Sequence, residues 1–309
     1  MHVALYFHGR LPVKGYGGTQ RVVVWLARGL AQLGHRVTLL APLQSMVPEA
    51  ALVALDPRQT ARPGFDVTPF VPSSADILHT HTPLAKPPPQ PHVFTLHGNL
   101  RAGRNAPANT IFVSADHARR HGATAFVYNG VDPAEFRYQS TGAGYDLFLG
   151  RLHSAKGYRW AITGARRAGR RLVVAGGWRL SLRPGVRYVG SVDGPRKAEL
   201  LASADCLWMP ALWDEPFGLT LVEAMMSGTP VLGTRRGALP EIVSPQTGAL
   251  GDTLEELVEL RPSIERCDPS DCRARAESWF THITMAQEYV RMYQHFLSEQ
   301  ELPPGRRTS

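Results

Sequence analysis

The feature that most constrains this chain is a repeated alternation of short apolar runs with segments of helical spacing. The runs are His2–Phe7, Val37–Ala41, Asp76–His79, Val93–His97, Ile111–Ser114, Phe126–Tyr128, Leu147–Gly150, Leu172–Ala175, Arg187–Gly190, Cys206–Met209 and Val231–Gly233. Most are rich in Val, Ile, Leu or Phe, as strands buried on both faces of a parallel sheet are. Between them, Thr19–Leu33 places Val22, Leu26, Leu30 and Leu33 at helical spacing and stops at Gly34. Lys197–Ala204 and Leu219–Ser227 read as shorter helices, the second ending at Gly228 and Pro230. Alternation of this kind predicts a doubly wound α/β architecture.

About eleven strands are more than one such sheet usually carries, so two domains of one type fit better. The 309 residues are comfortable for two. A break is expected in the loop-like stretch Ala134–Tyr145, giving domains of residues 1–137 and 138–281. Ser278–Glu299 has helical spacing, and the polar segment 300–309 is expected to fray. Pro-rich Lys86–Pro91 reads as a stiff connector inside the first half, and no short-period repeat is visible.

Composition closes off several classes. With 43% hydrophobic and 19% charged residues the chain is neither disordered nor membrane-spanning. No leader precedes the first strand, and three scattered cysteines make no disulfide framework, so a cytoplasmic protein is expected. The net charge is +8, almost all of its cations arginine; Lys14, Lys86, Lys156 and Lys197 are the lysines. An Arg-rich codon bias explains that charge as readily as an anionic partner does. No aromatic-interleaved basic motif supports nucleic-acid binding.

In open α/β sheets ligands sit outside the carboxyl ends of the strands. There the chain places the turn Lys14–Thr19, His79-Thr-His81, His97-Gly98, Asn129-Gly130, Gly150-Arg151, Gly176-Gly177 and Trp213-Asp-Glu215. A cleft between two facing rims is the simple geometry. Gly17 and Gly18 open the first long helix, and backbone amides at a helix start bind anions, although the dinucleotide fingerprint is poorly met. Arg151 and Lys156 leave one strand-to-helix turn and can straddle a diphosphate, unless they are a surface Arg and a capping Lys. His79 and His81 have metal-compatible spacing but no third ligand, so a hydrogen-bonded structural role and no metal are expected. Cys267 and Cys272 read as inert.

The stretch Asp214–Pro230 is the richest. Its helix begins at Gly218-Leu-Thr220, where the first amides have no intrahelical partner and the dipole favours anions. Glu223 lies about a turn into that helix and Glu215 just before it. A carboxylate accepts from two adjacent hydroxyls, as a ribose or sugar diol offers. Phosphate on the amides, a diol on Glu223 and a second polyol on Glu215 describe a nucleotide-sugar. The plain alternative is that both carboxylates are solvated or that Glu223 pairs with an Arg.

These residues resemble the retaining glycosyltransferases of family 4, which have the two-domain GT-B fold and a Glu-x7-Glu motif. Glu215-Pro-Phe-Gly-Leu-Thr-Leu-Val-Glu223 looks like that motif in full. Ala224–Pro230, Leu239–Val243, Gly150–Gly157, Thr95–Gly98, Asn129–Asp132, Tyr16–Thr19 and Gly34–Val37 are similar too, so the likeness runs from about residue 1 to 295. It implies two Rossmann-like domains facing each other across a cleft, with the last helix, about 282–299, crossing back to the first. It implies transfer of a hexose from a nucleoside-diphosphate sugar, a UDP-sugar first and a GDP-sugar second, to an acceptor left open: small molecule, saccharide or lipid-linked. By position, Arg151 and Lys156 would bind the diphosphate and Glu223 the ribose. Glu215 and the Phe217, Gly218, Leu219 and Thr220 amides would hold sugar and phosphate. His97 would reach the donor sugar, and Gly17 and Gly18 would close over the phosphates and border the acceptor.

The implied chemistry needs no cofactor and no metal, because fixed cations can stabilise the leaving diphosphate. No carboxylate nucleophile is evident, so front-side retention is expected. At most peripheral membrane contact is expected. Two other classes stay open: another enzyme of this scaffold, such as a nucleotide-sugar epimerase or a phosphorylase, and a non-catalytic basic binding protein. The chain is shorter than most relatives, being slight between Pro42 and Asp76 and brief after Gly177, which leaves the acceptor undetermined.

Overall fold

The computed structural model describes all residues except Lys14, Tyr16, Pro63, Ala102, Ser181, Leu182 and Ser309. Lys14 and Tyr16 of the first turn therefore lie outside the described residues. The chain divides into two compact units, Met1–Val131 with Thr281–Arg307, and Asp132–Phe280 with Thr308–Ser309.

In the first unit, β1 (His2–Tyr6), β2 (Arg36–Pro42), β3 (Ala51–Leu55), β4 (Ile77–Thr80), β5 (His92–Thr95) and β6 (Thr110–Ile111) form one sheet ordered β3-β2-β1-β4-β5-β6. Every pairing in it is parallel. Its helices are α1 (Gly18–Gln32), the single turn α2 (Pro57–Thr60) and α3 (Ala115–Arg120), with α3 capped by the Ser114 side chain. α1 buries Val22, Val23, Trp25, Leu26 and Leu30, the face its spacing predicts.

In the second unit, β7 (Asp146–Leu149), β8 (Leu172–Ala175), β9 (Val186–Gly190), β10 (Cys206–Met209), β11 (Val231–Thr234) and β12 (Gly248–Gly251) form a sheet ordered β12-β11-β10-β7-β8-β9. Counted from its own first strand, this is the same 3-2-1-4-5-6 order as the first unit, the doubly wound arrangement. α4 (Tyr158–Arg167), α5 (Gly194–Ala202), α6 (Leu219–Met226), the turn α7 (Leu239–Ile242), α8 (Leu254–Leu260) and α9 (Pro269–Trp279) complete it. α10 (His282–Glu299) belongs to the first unit and packs along α1. Close approach of the two is possible because Gly29 has no side chain: a Cβ there would lie 2.5 Å from the His282 carbonyl oxygen.

Three sequence expectations change. Ala51–Leu55 and Gly248–Gly251 are strands not foreseen, both at sheet edges. The first is largely exposed and the second is half glycine, so neither carries the continuous apolar signature of a central strand. Phe126–Tyr128 makes one isolated parallel bridge, Phe126 to Phe112, and no strand. The tail expected to fray is docked: Pro303 is buried, the Gly305 amide donates to the Thr124 carbonyl at 2.9 Å, and Arg306 pairs with Glu288 at 3.1 Å.

The core of the second unit holds a buried ion pair. Asp146, fully buried at the start of β7, accepts from Arg261 Nε and Nη2 at 2.9 and 2.7 Å and from Trp208 Nε1 at 2.7 Å. Removing one partner strands the other charge in a dry core. Asp146→Ala is therefore expected to destabilise this unit by about 3–5 kcal/mol, read as a lower urea midpoint, and Asp146→Asn by less.

Candidate active site

The second unit's carboxyl-end rim is built by glycines that bring backbone together. β7 runs out at Gly150-Arg151, and a short 3-10 turn, Ser154–Lys156, ends at Gly157 with φ 71°. A Cβ at Gly157 would sit 1.7 Å from the Pro210 carbonyl oxygen, so glycine lets this turn lie against the end of β10. The Leu212 amide donates to the Ala155 carbonyl at 2.8 Å, closing the contact. Lys156 is thereby delivered to the loop that carries Glu215.

Lys156 Nζ meets Glu215 Oε2 at 2.6 Å, and the Trp213 indole N–H donates to the same oxygen at 2.8 Å. The ammonium also lies 4.9 Å from the centre of the Trp213 ring, a cation–π distance. Glu215 is only 7% exposed. Its carbonyl accepts from the Ala238 amide at 2.9 Å, and Gly237, at φ 59°, lies flush against its backbone.

Gly218 follows, with φ 90°, and caps α6 with no side-chain hydrogen bond. The helix start is thus left to backbone amides, the arrangement that binds anions. Phe217 is buried edge-on against Phe280, with centroids 5.9 Å apart, so its side chain belongs to the core. Leu219 and Thr220 are half-buried in the first turn of α6. Arg151 is exposed at the end of β7.

Glu223 is 3% exposed, and its Oε1 accepts from Lys197 Nζ at 2.7 Å, from α5. The expected alternative partner was an arginine; the partner is a lysine. Lys197 is itself buried and lies 5.4 Å from the Phe136 ring centre. The rim therefore carries two Lys–Glu pairs, Lys156–Glu215 part-buried and Lys197–Glu223 buried, rather than free carboxylates. Lys197 was not assigned to the site from sequence, and Trp213 was placed on the rim without a role. Lys197 had a signal, being one of four lysines in an arginine-biased chain.

In the first unit, His97 follows β5 and is half-buried, and burial pushes it down to about 4. Its Nε2 shares a hydrogen bond with His81 Nδ1 at 2.9 Å. His79 is buried between Tyr293 (2.6 Å) and Thr95 (2.7 Å), and Thr95 bonds Tyr289 at 2.9 Å. His79 is thus tied through both ring nitrogens, and His81 through Nδ1, its buried Nε2 having no hydrogen-bond partner among the described residues. Among the described residues no group of three or more His, Cys, Asp or Glu could hold a metal. Gly17 and Gly18 open α1 without a side-chain cap, and a Cβ on Gly17 would crowd Val13 and Gln20.

Burial also lowers His92 to about 4 and His117 to about 3. The unfolded chain then binds more protons than the folded one between about pH 6.5 and 4. Stability is accordingly expected to fall as pH drops through that window, and a melting-temperature series from pH 7 to 4.5 checks it.

Two units of this kind, each a doubly wound parallel sheet, define the GT-B architecture. Two family models, one in each half of the chain, support a glycosyltransferase of family 4. The family described as Glycosyltransferase Family 4 matches residues 16–135, and Glycosyl transferases group 1 matches residues 145–260. The chain is similar to an uncharacterized glycosyltransferase of Methanocaldococcus jannaschii, 31% identical over 154 residues, 40% of this chain and 39% of that protein. The match thus spans about two-fifths of that relative's length. A phosphatidyl-myo-inositol mannosyltransferase of Mycolicibacterium smegmatis is 29% identical over 290 residues, 74% of this chain and 75% of that one. Among solved structures, AviGT4, a glycosyltransferase of avilamycin A biosynthesis, superposes with a TM-score of 0.77 at 28% identity, covering 96% of this chain and 98% of that one. No described helix is long and apolar enough to cross a membrane.

Proposed function

We propose that this chain transfers a hexose from a nucleoside-diphosphate sugar to a hydroxyl acceptor, with retention and without a metal ion. The observation that carries the reading is the Lys156–Glu215 pair beside the uncapped start of α6. One cation, one carboxylate and a set of backbone amides meet there on a ligand rim. A diphosphate suits the amides and Lys156, with Arg151 on the same turn adding a second cation. Glu223 takes the ribose diol and Glu215 the sugar hydroxyls. His97, Gly17 and Gly18 are carried as donor-contacting residues on their motifs.

The transition state is oxocarbenium-like, and charge grows on the departing diphosphate. Fixed cations and helix amides stabilise that charge without reorganising. A donor phosphate oxygen takes the acceptor proton on the same face of the sugar. UDP-sugars are the first candidates and GDP-sugars the second; the mannosyltransferase named above keeps the second in view.

The test is incubation with UDP- and GDP-hexoses and an acceptor panel, with EDTA present, followed by NMR of the anomeric centre. Retained configuration supports the proposal and inversion contradicts it. Sugar isomerised without any acceptor would indicate an epimerase instead.

A further inference from the structure

Glu215 is assigned to the donor sugar, yet in this structure Lys156 occupies one of its oxygens. Lys156 is also the cation assigned to the diphosphate. Both assignments hold together only if Lys156 leaves Glu215 when the donor enters. A carboxylate 7% exposed cannot lose its cation without another donor, because an unpaired buried charge is costly.

Trp213 supplies that donor. Its indole N–H reaches the same Oε2 that Lys156 holds, at 2.8 Å against 2.6 Å. It stands two residues before Glu215 on the same loop, and Glu215's own backbone is fixed by Ala238 and Gly237. Its ring faces the Lys156 ammonium at 4.9 Å, so the same side chain guides the lysine as well. A hydrogen bond to an ionised carboxylate is among the stronger ones.

We propose that Trp213 is a positioning residue that keeps the Glu215 carboxylate aimed at the donor sugar while Lys156 transfers from Glu215 to the diphosphate. This rests on the donor-site reading above. It predicts that the diphosphate and the sugar compete differently for the pair. A free nucleoside diphosphate needs only Lys156, whereas a nucleotide-sugar needs Glu215 held in place too.

The test is Trp213→Phe, which keeps an aromatic face towards Lys156 and removes the N–H. Calorimetry with UDP, GDP, UDP-glucose and GDP-mannose compares the variant with wild type. The nucleoside diphosphate that wild type binds is expected to bind the variant within about threefold. The corresponding nucleotide-sugar is expected to weaken about tenfold or more, with turnover falling further than binding. Equal weakening of both ligands, or of neither, overturns the inference. A ligand-free readout accompanies it. In a 1H–15N spectrum, the indole resonance lost in Trp213→Phe should move in Glu215→Gln; an unmoved resonance also overturns it. If wild type binds none of the four ligands while the resonance behaves as expected, the donor-site reading is what has failed, and the positioning role falls with it.

Discussion

Lys156→Ala is expected to lower turnover by about 10²–10³, the effect of deleting one preorganised donor to developing negative charge. The mutation removes the cation that the structure places 2.6 Å from Glu215. If Lys156 acts on the leaving diphosphate, kcat should fall, and affinity for the nucleoside diphosphate should fall with it. Lys156→Arg should restore charge but not position, because the turn ending at Gly157 is packed tightly on Pro210 and a longer, planar head cannot take the same place. Steady-state kinetics on both variants, with melting temperatures to confirm folding, checks this. Wild-type kcat in Lys156→Ala would remove Lys156 from the reaction.

Glu223→Ala carries the second large effect, and most of it should appear as lost stability. Lys197 and Glu223 are both buried, and their 2.7 Å contact is a desolvated ion pair. Deleting the carboxylate leaves an ammonium uncompensated, at a cost of about 3–5 kcal/mol. The double variant Glu223→Ala with Lys197→Met removes both charges and should recover most of that loss, a coupling that a double-mutant cycle measures directly. Glu223→Gln separates folding from recognition. It keeps the shape and one acceptor, so the protein should fold, while nucleotide affinity falls because the amide cannot accept from both ribose hydroxyls. Unchanged nucleotide affinity in a folded Glu223→Gln variant would remove the ribose assignment.

Much of the fold was legible because buried parallel strands announce themselves. Leu172–Ala175 and Cys206–Met209 have in the structure the bounds their apolar runs suggested. The edge strands β3 and β12 were not legible, since an edge strand has one neighbour and need not be apolar throughout. The unit boundary at Phe280–Thr281 lies beside the start expected for the last helix, about residue 282. Helical spacing runs through it, and Thr281 takes over as the N-cap of α10 through its hydroxyl. The shared strand order of the two units left no trace as a sequence repeat, because topology constrains where strands lie and not which residues fill them.

At the site, sequence named candidate residues but not their pairings. Glu215, Glu223, Arg151 and Lys156 were singled out by type and rim position, yet nothing in spacing joins Lys156 to Glu215, 59 residues on. That contact depends on Gly157 fitting under Pro210, which only the folded backbone reveals. Phe217 shows the converse: its motif position suggested a donor contact, but its ring turns into the core.

The central claim is that the second unit holds a nucleoside diphosphate on Lys156, Arg151 and the start of α6. A thermal-shift panel of nucleoside diphosphates and nucleotide-sugars in EDTA tests it most directly, because a ligand that binds only the folded state raises its melting point. The account predicts a clear upward shift with at least one nucleoside diphosphate, lost in Lys156→Ala. No shift with any nucleotide, or an undiminished shift in Lys156→Ala, would contradict it.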